Sequence, residues 1–205
     1  YSGLSRTDYD MLSMIAPVVA YPETPWSTDW RSMIRINSLG MGMPKEGEAL
    51  IARIEEDIES QVSKYPELKG KSAMFITHID PTDLSVIHFY TGNDTRVKFF
   101  SDLRLSSPDS IRELSRSGQF SGEASIENID VFNDVDIFVT YGGGKLLEPI
   151  SENPLMAKMK AIKDGSIVML GNGTLATAAN PTPLSISWVL DDYLEALAAA
   201  ARKAQ

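Results

Sequence analysis

Cysteine is absent from all 205 residues. That excludes disulfides, cysteine-based zinc sites and thiol catalysis, and it leaves the compartment open. Histidine is nearly absent: His78 and His88 are the only two, and neither has Asp, Glu or His at ligand spacing along the chain, so no protein metal site is expected. No apolar run approaches the roughly 20 residues needed to cross a bilayer, and no signal peptide is visible. Positive charge is in deficit. The 19 Lys and Arg against 28 Asp and Glu leave a net charge of −9, which argues against nucleic acid and anionic membrane as main partners. Catalytic signatures are missing as well. There is no G-x-S-x-G nucleophile motif. Gly142-Gly143-Gly144-Lys145 lacks the spacing of a phosphate loop and is followed by Leu146 instead of Ser or Thr. No enzyme is expected, and no catalytic residue, metal ligand or cofactor is assigned.

What is present is an ordinary globular composition, 43% hydrophobic and 23% charged, in a length that fits one large α/β domain. The opening YSGLSRTDYD reads as the interior of a longer chain, so the stretch is expected to be a fragment. Residues 4–16 have a rough apolar helical face stopped by Pro17, and 18–21 read as a short strand. A proline-punctuated loop then carries Trp26 and Trp30. A helix is expected over 30–39. The clearest helix covers 46–65, where Leu50, Ile54, Ile58 and Val62 recur every four residues and Glu55, Glu56, Asp57 and Glu59 take the other faces.

Beyond residue 70 the pattern alternates. Strands are expected at 72–79, 84–90, 135–140 and 166–170. Helices are expected at 94–103, 108–117, 125–132, 154–162 and 183–201. Strands separated by helices predict a three-layer α/β unit with a mainly parallel sheet.

Candidate positions follow from where these elements end. The run 124–141 starts as a short polar helix with Glu127 in its first turn and Ser125 as its N-cap. It ends as a buried strand that delivers Tyr141 to the Gly142-Gly143-Gly144 turn. Gly171-Asn172-Gly173-Thr174 is a second glycine turn after a strand. Two such turns would line one rim of a sheet, where α/β proteins bind ligands. Tyr90 and Arg96 flank the turn Thr91-Gly92-Asn93-Asp94, with Asp94 as helix N-cap and Arg96 either a surface charge or a partner for an anionic group. His78 lies near a strand end and could face a ligand. Trp30 fits a core position, while Trp26, between Pro25 and Ser27, is expected to be partly exposed and able to stack on a ligand.

Several stretches in order resemble a family. They are Ile15-Ala16-Pro17 with Pro25-Trp26 and Trp30, the helix 46–65, Tyr65-Pro66 leading into a strand, Ser125-Ile126-Glu127 before Asp134-Val135-Asp136, Asn153-Pro154-Leu155 followed by Gly165-Ser166-Ile167-Val168, and Pro181-Thr182-Pro183 with Trp188. Together they resemble the C-terminal two-thirds of a periplasmic-type substrate-binding protein of the iron–siderophore and cobalamin ABC-uptake group.

The resemblance implies a Rossmann-like lobe after an inter-lobe helix. Residues 1–45 would be a remnant of the N-terminal lobe, 46–69 the connecting helix and 70–205 the C-terminal lobe. It implies no enzymatic activity and no protein-held metal, because the siderophore itself would chelate the iron. Trp26, His78, Tyr90, Arg96, Tyr141, Asn172 and Thr174 would contact the iron–siderophore complex. Glu127 would dock on an arginine of the ABC permease, which works with its ATPase. The location implied is the periplasmic or extracellular face of the membrane, with a lipid anchor on the full-length protein. Haem or cobalamin is the alternative ligand, and a flavodoxin-like cofactor domain the more distant reading. The apolar residues Met11, Met14, Ile15, Val18 and Val19 would favour self-association of the fragment.

Overall fold

The computed structural model describes residues 4–22 and 24–204. Residues 1–3 at the head of the expected N-terminal remnant, Glu23 of the proline loop and Gln205 lie outside the described residues. In chain order the helices and strands are α1 (Arg6–Ser13), α2 (Trp30–Gly40), α3 (Pro44–Val62), β1 (Ala73–Ile76), β2 (Val86–Tyr90), α4 (Thr95–Asp102), α5 (Asp109–Leu114), β3 (Ser121–Ser125), β4 (Ile137–Thr140), α6 (Leu147–Glu152), α7 (Lys160–Lys163), β5 (Ile167–Met169) and α8 (Pro183–Ala201).

The five strands form one sheet in the order β3-β2-β1-β4-β5. β1 pairs parallel with β4, and β4 with β5, while β2 runs antiparallel to both β1 and β3. Four strands therefore point one way and β2 alone is reversed, in keeping with the mainly parallel sheet expected. The two central strands, AMFI and IFVT, are buried at every position, as a strand covered on both faces must be. Their side chains alternate between two cores. Phe75 and Val139 face a layer built from Trp30, Ile34, the Ile51–Ile54–Ile58–Val62 stripe of α3, Phe100 and the apolar side of α8. Met74, Ile76 and Phe138 face Phe89, Ile111, Phe132, Ile150 and Ile162.

Local chemistry explains the better-read elements. α3 begins with Pro44 in its first turn and Glu46 beside the positive helix end. It crosses α2 closely at Gly47, where an added Cβ would lie 2.1 Å from the Ser38 hydroxyl. α8 opens on a reciprocal capping box between Thr182 and Ser185. Asp136 ties the starts of β1 and β4 together. It accepts from the Ser72 amide at 3.0 Å and from Lys160 Nζ at 2.7 Å. Burial alone would raise its pKa, but the Lys160 and Ser72 hydrogen bonds outweigh burial and hold it below the usual carboxylate range.

Several expectations need correction. The strand expected at 18–21 does not form. The sheet edges are β3 and β5, so this segment has no strand beside it among the described residues and a lone strand cannot satisfy its amides. α1 is shorter than the 4–16 expected, starts from a Ser5 cap and buries none of its residues. The helix expected at 108–117 shrinks to α5. That expected at 154–162 is a 3-10 turn, Met156–Lys158, followed by the single turn α7, because the Asn153 side chain accepts from the amides of Leu155 and Met156 and starts a tight turn there. The segment at 125–132 is 3-10 over Ile126–Asp134 with a kink at Asn128. β3, SGEAS, carries no strand signal of its own. It forms because five of its residues pair with β2 from Val86↔Ser125 to Tyr90↔Ser121, the work of a short, polar edge strand.

Candidate functional site

The turn after β2 is built by its own polar groups. Thr91 is wholly buried and donates its hydroxyl to the Gln119 carbonyl at 2.6 Å. Its amide bonds the Phe120 carbonyl at 3.0 Å, and the Asn93 side chain donates to the carbonyls of Arg116 and Gln119. Asp94 then caps α4. Its carboxylate accepts from the Arg96 amide at 2.8 Å, from Arg96 Nε at 2.7 Å and, through its other oxygen, from Nη2 at 3.0 Å. Arg96 is thus no surface charge: it is 7% exposed and Asp94 is 0% exposed.

The rest of the guanidinium is enclosed by aromatic rings. Nη1 donates to Tyr141 Oη at 3.0 Å. The guanidinium carbon lies 3.8 Å from the Tyr90 ring centroid and 5.6 Å from that of Trp26, within cation–π range. His78 stacks on Tyr141 at 5.0 Å. Phe75 floors the group at 5.4 Å from Tyr90 and 5.3 Å from Tyr141. Burial pushes the Tyr90 hydroxyl up to about 12, with Arg96 opposing and Tyr141 adding. Burial alone would lower the Arg96 pKa, but the hydrogen-bonded Asp94 carboxylate outweighs it and the guanidinium stays firmly protonated.

Trp26 reaches this cluster from a strained backbone. Its φ is +66°, a region that costs a bulky residue on the order of 1–3 kcal/mol. Neighbouring hydrogen bonds hold it there. Thr95 of α4 donates its amide to the Trp26 carbonyl at 3.2 Å, and Lys98 Nζ donates to the Ser27 carbonyl at 2.6 Å. Trp26 also lines a cavity of about 350 Å³ with Tyr21 and Met33. On the other side, exposed His78 lines one of about 290 Å³ with Asp80, Leu84 and His88.

Five of the seven ligand candidates, Trp26, His78, Tyr90, Arg96 and Tyr141, therefore form one continuous cluster beside the carboxyl ends of β1 and β4. Asn172 and Thr174 are exposed on the turn after β5 and make no hydrogen bond or ring contact with that cluster among the described residues. Their turn is nevertheless adjacent to that of Tyr141. Gly142 and Gly171, at φ +90° and +67°, exchange backbone hydrogen bonds of 3.2 and 2.8 Å, so the two glycine turns share one rim.

His88 finds an acid the linear spacing hid: Glu123 lies 3.6 Å from its Nδ1 across the β2–β3 pair. Both are well exposed, and no group of three His, Asp or Glu among the described residues could hold a metal ion. Glu127 stands apart on the β3 side. It is exposed, its amide bonds the Ser125 hydroxyl at 3.3 Å, and no ion pair joins it to a described residue.

Sequence reasoning missed one contributor. Asp94 reads locally as a cap, and only the fold makes it the counter-ion of Arg96.

A mostly same-sense sheet with helices on both faces, and an aromatic-lined polar cluster beside its strand ends, is the architecture of a solute-binding lobe. The family described as periplasmic binding protein matches residues 1–173, and the chain belongs to that family. Its similar structures include PiaA of Streptococcus pneumoniae TIGR4 in complex with ferrichrome. That protein is 41% identical over 100% of this chain and 69% of its own, with a TM-score of 0.94. A second structure of PiaA, an iron uptake ABC transporter substrate-binding protein, gives 41% identity, 100% and 70% coverage and a TM-score of 0.91. A periplasmic solute binding protein from Mycobacterium smegmatis, 18% identical over 97% of this chain and 66% of its own, has a TM-score of 0.75 and shares the fold. No curated protein sequence matches the chain. The family and these neighbours are transport-binding proteins, not enzymes.

Proposed function

We propose that this chain is the ferric-siderophore-binding part of an ABC importer's substrate-binding protein, capturing the iron complex and handing it to the membrane permease. The observation that carries the reading is the Trp26–Arg96–Tyr90–Tyr141–His78 cluster in a chain 41% identical to a protein solved with ferrichrome. An Arg N–H and a tyrosine hydroxyl suit the oxygens that ring a chelated iron, and aromatic faces suit the apolar body of the chelate. The iron is cargo held by its own chelator. Asn172 and Thr174 belong to the same proposal as outer-rim contacts.

Glu127 is proposed as the acid that docks on a permease arginine, with the ATPase as the permease's partner. The division into an N-terminal-lobe portion at 1–45, a connecting helix at 46–69 and a C-terminal lobe at 70–205 is part of this reading. So are a lipid anchor on the full-length protein, a position on the periplasmic or extracellular face of the membrane, and self-association through Met11, Met14, Ile15, Val18 and Val19. Ile15 at 83% and Met14 at 80% exposure support the last of these.

The test is quenching of tryptophan fluorescence by ferric siderophores on the intact protein, with a Trp26→Phe variant to assign the signal. Saturable quenching by a ferric hydroxamate, largely lost in Trp26→Phe, is expected. Absence of both quenching and thermal shift across hydroxamate and catecholate chelates would overturn the reading. A haem or cobalamin cargo would instead appear as a visible absorbance band on the purified protein.

A further inference from the structure

The geometry points to Asp94 as the residue that sets the charge class of the cargo: by cancelling Arg96 it tunes the cluster for a neutral ferric chelate and against a highly anionic one. This rests on the proposed function above. An arginine in an anion-binding cleft ordinarily offers net positive charge. Here both Asp94 carboxylate oxygens are turned to Arg96, at 2.7 and 3.0 Å, in a bidentate pair that is 7% and 0% exposed. Nη1 of Arg96 is turned to the neutral Tyr141 hydroxyl. The remaining walls are the uncharged rings of Tyr90, Trp26 and Phe75.

Beyond these lie Lys98, which donates to the Ser27 carbonyl, Asp29, which caps α2, and, past His78, the carboxylates of Asp80 and Asp83. The cluster therefore presents directed N–H and O–H donors with no excess of positive charge. Such a surface matches a ferric tris-hydroxamate, whose three monoanionic arms neutralise the iron. A ferric tris-catecholate keeps a triple negative charge and would have to be desolvated with nothing to balance it. Asp94 is a positioning residue in this scheme, since it acts through Arg96.

The experiment compares wild type, Asp94→Asn and the double variant Asp94→Asn/Arg96→Gln by fluorescence titration with ferrichrome and with a ferric tris-catecholate, at low and high salt. Wild type should bind ferrichrome and discriminate against the catecholate. Asp94→Asn exposes one positive charge. It should bind the catecholate at least about tenfold more tightly, in a salt-sensitive way, while ferrichrome binding weakens. The double variant returns the charge to zero and should lose the gain. If Asp94→Asn weakens both ligands in proportion, or if the gain survives in the double variant, Asp94 is only structural and the proposal falls. Equal wild-type affinity for both chelates also overturns it. A wild type that binds neither sinks the siderophore reading itself, which is a distinct result.

Discussion

Two acids stand at the start of two helical segments and meet opposite fates. Asp94 is wholly buried, caps α4 and spends both oxygens on Arg96. Glu127 sits in the first turn of the 3-10 segment, exposed and without an ion pair among the described residues. The same local signal, an acid at a helix N-terminus, therefore marks two different devices. One is a closed pair whose charge is consumed inside the fold. The other is an open charge held on a ledge, available to a partner. The difference comes from what each segment packs against: α4 lies over Phe75 and Tyr141 with its start sealed by the Trp26 loop, whereas the 3-10 segment follows the edge strand β3.

The sharpest way to test that contrast is to remove the partner. Arg96→Ala leaves Asp94 buried with no counter-charge, and loss of one member of such a pair costs about 3–5 kcal/mol. Urea unfolding should show that loss together with abolished ferrichrome quenching. Removing both partners in Arg96→Ala/Asp94→Ala should restore much of the stability without restoring binding. A single-variant cost below about 1 kcal/mol would mean that the pair is solvated and the comparison mistaken.

A third acid lies between the extremes. Asp136 is half-buried and shared by Lys160 and the Ser72 amide. Asp136→Asn is expected to cost about 1.5–3 kcal/mol near neutral pH, the range for hydrogen bonds to a charged group. Its folded pKa is depressed despite burial because Lys160 and Ser72 stabilise the ionised form. The wild-type advantage is therefore complete above the unfolded carboxylate pKa and is lost as pH falls through the lower folded value. Unfolding measured between pH 7 and pH 3 should show the two proteins converging at the acid end. A gap independent of pH would show that the charge is not what Asp136 contributes.

Trp26 sharpens the comparison from the cleft side. Trp26→Gly relieves the positive φ but loses the ring and adds chain entropy, so stability should move by less than about 1 kcal/mol. Ferrichrome affinity should nevertheless fall by about tenfold, read by isothermal titration because the reporting tryptophan is gone. Retained affinity would remove Trp26 from the site.

The legibility of these features follows from their range. The α3 stripe, the proline start of α8, buried strands within 72–79 and 135–140 and the partial exposure of Trp26 are written in periodicity, end residues and flanking prolines, and are readable along the chain. β3 is not, because Ser121-Gly122-Glu123-Ala124-Ser125 becomes a strand only through its partner β2. The pairing of Asp94 with Arg96 is local, only two residues apart, but its burial comes from the Trp26 loop and Tyr141, 68 and 47 residues away along the numbering. Burial decides whether Arg96 is a surface charge or a cleft donor, and burial is a tertiary fact. Strand-end position points to His78, Tyr90 and Tyr141 but also to Asn172 and Thr174, which stay on the outer rim, while Trp26 reaches the cluster from a loop that follows no strand.

The smallest stability effect belongs to Glu127, and its smallness is what gives the test its power. An exposed acid with no ion pair contributes at most a few tenths of a kcal/mol through the helix end. Glu127→Ala should therefore unfold within about 0.5 kcal/mol of wild type and bind ferrichrome unchanged, because it follows Ser125, which pairs with Val86 at the opposite end of the β2–β3 pair from Tyr90. If the acid docks on a permease arginine, the same variant should cut iron uptake by cells several-fold. Charge reversal, Glu127→Arg, should cut it further through like-charge repulsion with that arginine. Neighbouring Glu123 and Asp130 share the exposed face, so Asp130→Ala serves as the control for a general loss of negative charge. Equal effects from Asp130→Ala and Glu127→Ala would assign docking to the field of the whole face. Normal uptake with Glu127→Arg would leave Glu127 a first-turn acid and nothing more.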